Sequence, residues 1–195
     1  LQSVPNRDDW NAIDPAVSFD EQGTPWLAFG SFWQGLKLAK LDLGLTRLAA
    51  PQVWRNLAHR DASEPNDAIE APFIFHQHGY YYLFASFDYC CRAMDSTYNI
   101  RVGRSKTMKG PYLDKDGKSM LDGGGSLVLK GNKDWVALGH NGAYTFDGKD
   151  YLVFHAYETA DRAIQKLRIL EIHWQDDWPM VDAADLNRNR TVLEQ

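Results

Sequence analysis

The sequence predicts an all-β chain assembled from propeller blades, on three observations. A hairpin-forming pattern occurs three times along the 195 residues. Each occurrence leaves room for two more strands before the next, and helical periodicity is nearly absent. "PNDAIEA" is the one stretch that tempts a helix assignment, and Pro72 with the strand pattern after it argues against one.

The first copy opens at Asp14, with Phe19, Gly23 and Leu27 following at five, nine and thirteen residues. The second opens at Glu70 and places Phe75, Gly79 and Leu83 at the same offsets. A third fits if Gly139 is taken as its origin, because Gly148 and Leu152 then fall at nine and thirteen, with His140 beside the origin. Each copy reads as a short apolar strand, a Gly-containing turn ("DEQG", "HQHG", "DG") and an apolar second strand ("WLAF", "YYLFASF", "YLVFHAY"). Third strands follow as "LKLAKLDL", "NIRVGRS" and "RILEIHW". The origins lie 56 and 69 residues apart, enough for a fourth strand, and four antiparallel strands in about 50 residues make a propeller blade.

Innermost strands of a propeller line one axial channel, so equivalent positions converge however far apart they are in sequence. Asp14, Glu70 and His140 are therefore expected at a common pocket. About three copies fit, the chain supplying three to four blades, while a closed propeller needs roughly four to eight. The expectation is an incomplete β-propeller domain over residues 1–195, whose preceding blades lie upstream of Leu1, on a companion N-terminal fragment, or on a second copy of the chain. The start "LQSVPNRDDW" has neither Met nor an apolar leader and reads as the middle of something longer.

Composition narrows the function classes. Lys+Arg number 21 against 26 Asp+Glu, giving a net charge of -5 without a basic run, which argues against nucleic acid and anionic membrane as partners. No apolar stretch approaches the roughly 18 residues of a membrane span. Aromatic residues make up 13% and include seven Trp, suited to sugar faces as well as to a core. Cys90 and Cys91 are adjacent and cannot close a useful loop; two buried thiols are expected, with a vicinal disulfide as the alternative.

Two carboxylates in an aromatic-lined pocket are the equipment of glycoside hydrolysis. Taken singly, Asp14 in an Asp-Pro turn and Glu70 before "AP" are ordinary turn acids, and their coincidence in the repeat frame is what singles them out. His140 alone reads as a buried histidine bonded to backbone. One imidazole is too few for zinc, so a metal there would be a hard cation bound largely through water. Asn11, Ser31 and Trp33, the last closing the strand begun in the first hairpin, are candidate sugar contacts. "KDGKS" fails as a phosphate loop because Tyr112 stands where Gly is required, "DKDG" lacks the acids of a calcium loop, Gly123 to Gly125 reads as a turn, and Asn189-Arg190-Thr191 is a formal glycosylation sequon.

Across "WNAIDPAV", "FGSFWQGLKL", "AIEAPFIF", "YYYLFASFDYCC", "STYNIRVGRS", "GPYLDKDGKSMLDGGGSLVL" and "GHNGAYTFDGKDYLVFHAY" the chain resembles the endo-1,5-α-L-arabinanases of glycoside hydrolase family 43. The resemblance implies a five-bladed propeller, secretion, and hydrolysis of internal α-1,5 bonds of arabinan with inversion. It makes Glu70 the general acid, Asp14 a third carboxylate that tunes and orients that acid, and His140 the channel histidine that holds calcium or a similar ion through water. It also places the general base, another Asp, on a first blade that these residues do not include, which removes a pairing of Asp14 with Glu70 as base and acid. Alternatives of the same fold are an exo-acting arabinofuranosidase or xylosidase, and a noncatalytic carbohydrate-binding propeller fragment.

Overall fold

A computed structural model describes residues 1–187; the sequon at Asn189 lies outside them. Twelve strands form three four-stranded antiparallel sheets among the described residues, each following chain order. The first blade holds β1 (Ala16–Phe19), β2 (Pro25–Phe29), β3 (Leu36–Lys40) and β4 (Trp54–Ala58). β5 (Ile69–Gln77), β6 (Tyr80–Phe87), β7 (Asn99–Ser105) and β8 (Ser126–Lys130) make the second. The third contains β9 (Trp135–Phe146), β10 (Lys149–Glu158), β11 (Ile164–Gln175) and β12 (Trp178–Met180). Helical structure among the described residues is confined to short 3₁₀ turns, and no helix is long and apolar enough to cross a membrane.

Side-chain alternation explains how the blades stack. Tyr81, Leu83, Ala85 and Phe87 of β6 join Trp26, Leu36, Leu38 and Leu57 in a core between blades one and two. Tyr82 and Phe84 point the other way and pack with Leu152, Phe154 and Leu170 between blades two and three. β6 is thus buried on both faces, which is why "YYYLFASF" is continuously apolar rather than alternating. Innermost strands meet: β1 contacts β5, and β5 contacts β9. Ser18 Oγ donates to the Ile74 carbonyl at 2.8 Å, tying the first two at mid-strand.

Three expectations need correction. Leu27, Leu83 and Leu152 pair with Val17, Ile74 and Ala143. Counting back three residues aligns Asp14 with Ala71 and His140, so Glu70 lies one residue ahead of that frame, level with Gly139. The first hairpin turn carries one extra residue, and counting to its glycine hid the slip. Second, Cys90 and Cys91 form a vicinal disulfide, Cys91 being exposed. The loop after β6 turns at this pair, with Cys91 at φ +64°, while half-buried Cys90 packs against the cluster of Tyr98, Ala137, Tyr157 and Ala163. Third, Trp33 does not close a strand: β2 stops at Phe29, and Gly30 at φ +122° turns the chain out of the sheet.

Candidate active site

Asp14, Ala71 and His140 share a left-handed backbone, φ +55°, +52° and +51°. For the second and third blades this conformation coincides with an irregularity in strand pairing, between Glu70 and Phe73 on β5 and between the partners of Val153 and His155 on β9. Such bulges re-aim side chains at the ends of inner strands. Their convergence produces a cavity of about 400 Å3, lined by Asp14, Pro72, Phe73, His140, Asn141 and Tyr144 among others.

Glu70, next in the chain to the cavity-lining Ala71, has both oxygens engaged. Ser31 Oγ donates to Oε2 at 2.8 Å, and the Tyr98 hydroxyl donates to Oε1 at 2.6 Å. Ser31 reaches it because an isolated antiparallel bridge joins Ser31 to Glu70 across the first two blades. The amide of Ala71, the residue after Glu70, donates to Asp14 Oδ2 at 3.1 Å. Burial pushes the Asp14 carboxyl above the usual range; the nearby His140 opposes this, the Glu70 charge adds to it, and the Ala71 amide opposes it.

On the third-blade side His140 faces the cavity, and its backbone N–H donates to Ser86 Oγ at 2.8 Å. Its ring centroid lies 6.5 Å from that of His155, which stacks on Tyr98 at 5.7 Å. Burial pushes His155 below the ordinary imidazole value, with His140 adding to the shift and Glu70 opposing it. His155 Nε2 and both amide atoms of Asn141 are buried without a hydrogen-bond partner. Among the described residues no three His, Cys, Asp or Glu side chains gather closely enough to hold a metal directly. His140 and Asn141 are the lining side chains that would face a cation held mainly through water.

The remaining expected contacts are placed differently. Asn11 Nδ2 donates to the Ser31 carbonyl at 3.3 Å, bracing the residue that holds Glu70. Trp33 lines a separate cavity with His59, Asp61, Asn66 and Asp67, and its amide donates to Asp67 Oδ2 at 3.1 Å. Tyr98, Ser86 and His155 were not anticipated. A polar residue inside "FASF" and inside "VFHAY" was the available signal for the last two.

The model of the family described as "Glycosyl hydrolases family 43" matches residues 2–179. The chain belongs to this family. Among family 43 relatives it is 58% identical over 195 residues to the extracellular exo-α-(1→5)-L-arabinofuranosidase ArbA of Cellvibrio japonicus, covering 96% of this chain and 56% of that protein. It is 47% identical over 176 residues to the extracellular endo-α-(1→5)-L-arabinanase 1 of Bacillus subtilis, covering 89% and 52%. The chain thus spans about half the length of these relatives. Its fold superposes on the solved α-L-arabinanase of Cellvibrio cellulosa with a TM-score of 0.90 at 57% identity, covering 96% of this chain and 62% of that one. Its architecture is that of the family's five-bladed propeller, of which the described residues form three blades.

Proposed function

We propose that the chain carries the acid side of an inverting glycosidase site acting on α-1,5-linked arabinan. The observation that carries this reading is a carboxyl, Glu70, clamped by two hydroxyls and one residue from the amide that holds the cavity-lining Asp14. Relatives named for arabinan hydrolysis, and a solved Cellvibrio arabinanase complexed with arabinohexaose, support the substrate class. With arabinan lying across the cavity mouth, Glu70 gives its proton to the leaving oxygen. Asp14, immobilised beside it, tunes and orients the acid. A carboxylate on another blade takes a proton from water on the opposite sugar face, about 6.5–9.5 Å from the acid in such enzymes. His140 would hold a calcium-like ion through water, supplying positive charge opposite the carboxylates.

The two exposed apolar faces at the ends of the blade array support a domain completed by further blades of the same propeller. Ile13, Val17 and Phe19 form one, and Phe146, Leu167 and Ile169 the other. Secretion is proposed on the extracellular naming of both relatives. Internal cleavage is the proposed mode, and the exo name of the 58%-identical relative favours the second reading, release of products from chain ends.

Hydrolysis of debranched arabinan, followed by reducing-sugar release and product chromatography, tests the assignment. Glu70→Gln is expected to lower turnover by about 10²–10⁴-fold, the usual contribution of a positioned acid. Equal turnover by the variant and the parent chain removes Glu70 from its role. Early appearance of mixed oligosaccharides supports internal cleavage; a single short product from the outset supports the exo mode.

A further inference from the structure

We propose that Tyr98, braced by Ser86, is a positioning residue that dictates which oxygen of Glu70 carries the transferable proton. The proposal rests on Glu70 being the general acid. The His140 backbone N–H donates to Ser86 Oγ at 2.8 Å, so the Ser86 hydroxyl proton is free to be given elsewhere. The Ser86 hydroxyl acts on the Tyr98 phenol in the direction of a donor, opposing the rise that burial and Glu70 cause. The Tyr98 hydroxyl directs its proton along the 2.6 Å contact to Glu70 Oε1. A proton on Oε1 in the same line would set two hydrogens against each other. The proton of the acid therefore sits on Oε2.

Ser31 makes this assignment workable. Its hydroxyl, 2.8 Å from Oε2, can rotate to donate to the carboxylate or accept from the acid, so Glu70 changes protonation state without moving. During cleavage the bond from the anomeric carbon to the leaving oxygen breaks. The Oε2 proton passes to that oxygen, water oxygen bonds to carbon, and the base on the other blade takes the water proton. Tyr98 keeps its own proton throughout. Burial first, then the charge of Glu70, pushes its phenol far above the ordinary value, so it remains a donor at any working pH. Glu70 is also faced by Asp14 from the segment entering β1 and by His155 from β10; His140 acts on both of these.

The ring is held for this task. Tyr98 is 1% exposed, stacks on His155 at an interplanar angle of 16°, and packs against the bare backbone of Gly139. It lies at the end of the loop between β6 and β7, next to Asn99, whose Nδ2 bonds to the Phe87 and Thr97 carbonyls and to Asp88. Tyr98→Phe removes the hydroxyl while keeping the ring.

The test compares two substrates of equal sugar length on the complete propeller, with the blade that carries the base present: an arabino-oligosaccharide, whose alkoxide leaving group needs a proton, and the corresponding 2,4-dinitrophenyl glycoside, whose phenolate does not. Tyr98→Phe is expected to lower kcat on the oligosaccharide by about 10²-fold, within the range of acid catalysis, with much smaller loss on the aryl glycoside and little change in KM. Ser86→Ala is expected to act in the same direction and less strongly. A Tyr98→Phe loss equal on both substrates, or absent on both while Glu70→Gln remains selective for the oligosaccharide, overturns the positioning role alone. Loss of that selectivity in Glu70→Gln overturns the acid assignment and this proposal with it.

Discussion

A methyl group added at Gly139 would lie 2.1 Å from Cε1 and 2.2 Å from Cδ1 of Tyr98, far inside van der Waals contact. Backbone must approach the ring here because Gly139 pairs with His155, whose imidazole stacks on the other part of the same column. Gly139→Ala is therefore expected to cost about 1–3 kcal/mol, the scale of overpacking, and to push the phenol off Glu70. A urea midpoint and a rate on unactivated arabinan measure both effects; an unchanged midpoint with an unchanged rate contradicts the packing argument. At this scale the sequence was partly readable. The acids stood out because a repeat placed them near strand origins, although the extra residue in the first turn misaligned them by one. Ser86 and His155 occupy the same place in their second strands, each a polar residue in an apolar run, and that correspondence was legible. Tyr98 was not, because it ends a loop that has no counterpart in the repeat.

Strands were easier to read than the ties between blades. β6 announced itself as a continuous apolar run because both of its faces are covered, and the third strands "NIRVGRS" and "LKLAK" contain β7 and β3 as expected. Asp150 gave no such notice. It is the second residue of β10 in a turn-like "DGKD", yet it is 7% exposed and accepts from Thr145 Oγ1 of β9 at 2.6 Å, Trp174 Nε1 of β11 at 2.8 Å and Gln77 Nε2 of β5 at 2.8 Å. Its carboxyl fastens blade two to blade three. Burial pushes its pKa up, but the three hydrogen bonds outweigh this and the net shift is downward. A folded-state value below the unfolded one means that stabilisation is present above the unfolded carboxylate range, about 3.9, and is lost as pH falls through the lowered value. Asp150→Asn should thus cost about 1–3 kcal/mol near neutrality, through donors left without a charged acceptor. The gap between variant and parent should begin to narrow as the medium is acidified below the unfolded carboxylate range, about 3.9, and close below the lowered folded value. Urea unfolding across that range checks it, and a gap that stays constant with pH argues that the carboxylate charge is not what binds the blades.

Three blades in an arc bury the faces between them and leave two outer ones. On the first blade Val17 and Phe19 are 46% and 53% exposed; on the third, Phe146 and Leu167 are 61% and 71% exposed. Val17 and Phe19 alternate with half-buried Ala16 and Ser18, and Leu167 and Ile169 with buried Arg168 and Leu170, the pattern of blades prepared to be packed on both sides. Contiguous apolar faces of this kind drive association in water, and a net charge of -5 is modest opposition. The 195-residue chain alone is therefore expected to self-associate at micromolar concentration and to bind an apolar dye. Phe19→Lys together with Leu167→Lys should shift it toward monomer while leaving its far-ultraviolet circular dichroism unchanged, since neither side chain belongs to the cores between the three blades. Sedimentation velocity decides the matter. A parent chain that sediments as a monomer and excludes the dye would mean that these faces are not adhesive, and would remove the physical argument for further blades. A loss of β signal in the double variant would mean instead that the outer faces already support the three-blade array. The acid site depends on that array, since Ser31, Glu70 and Tyr98 meet across the boundary between blades one and two, and the His140 amide reaches Ser86 across the next.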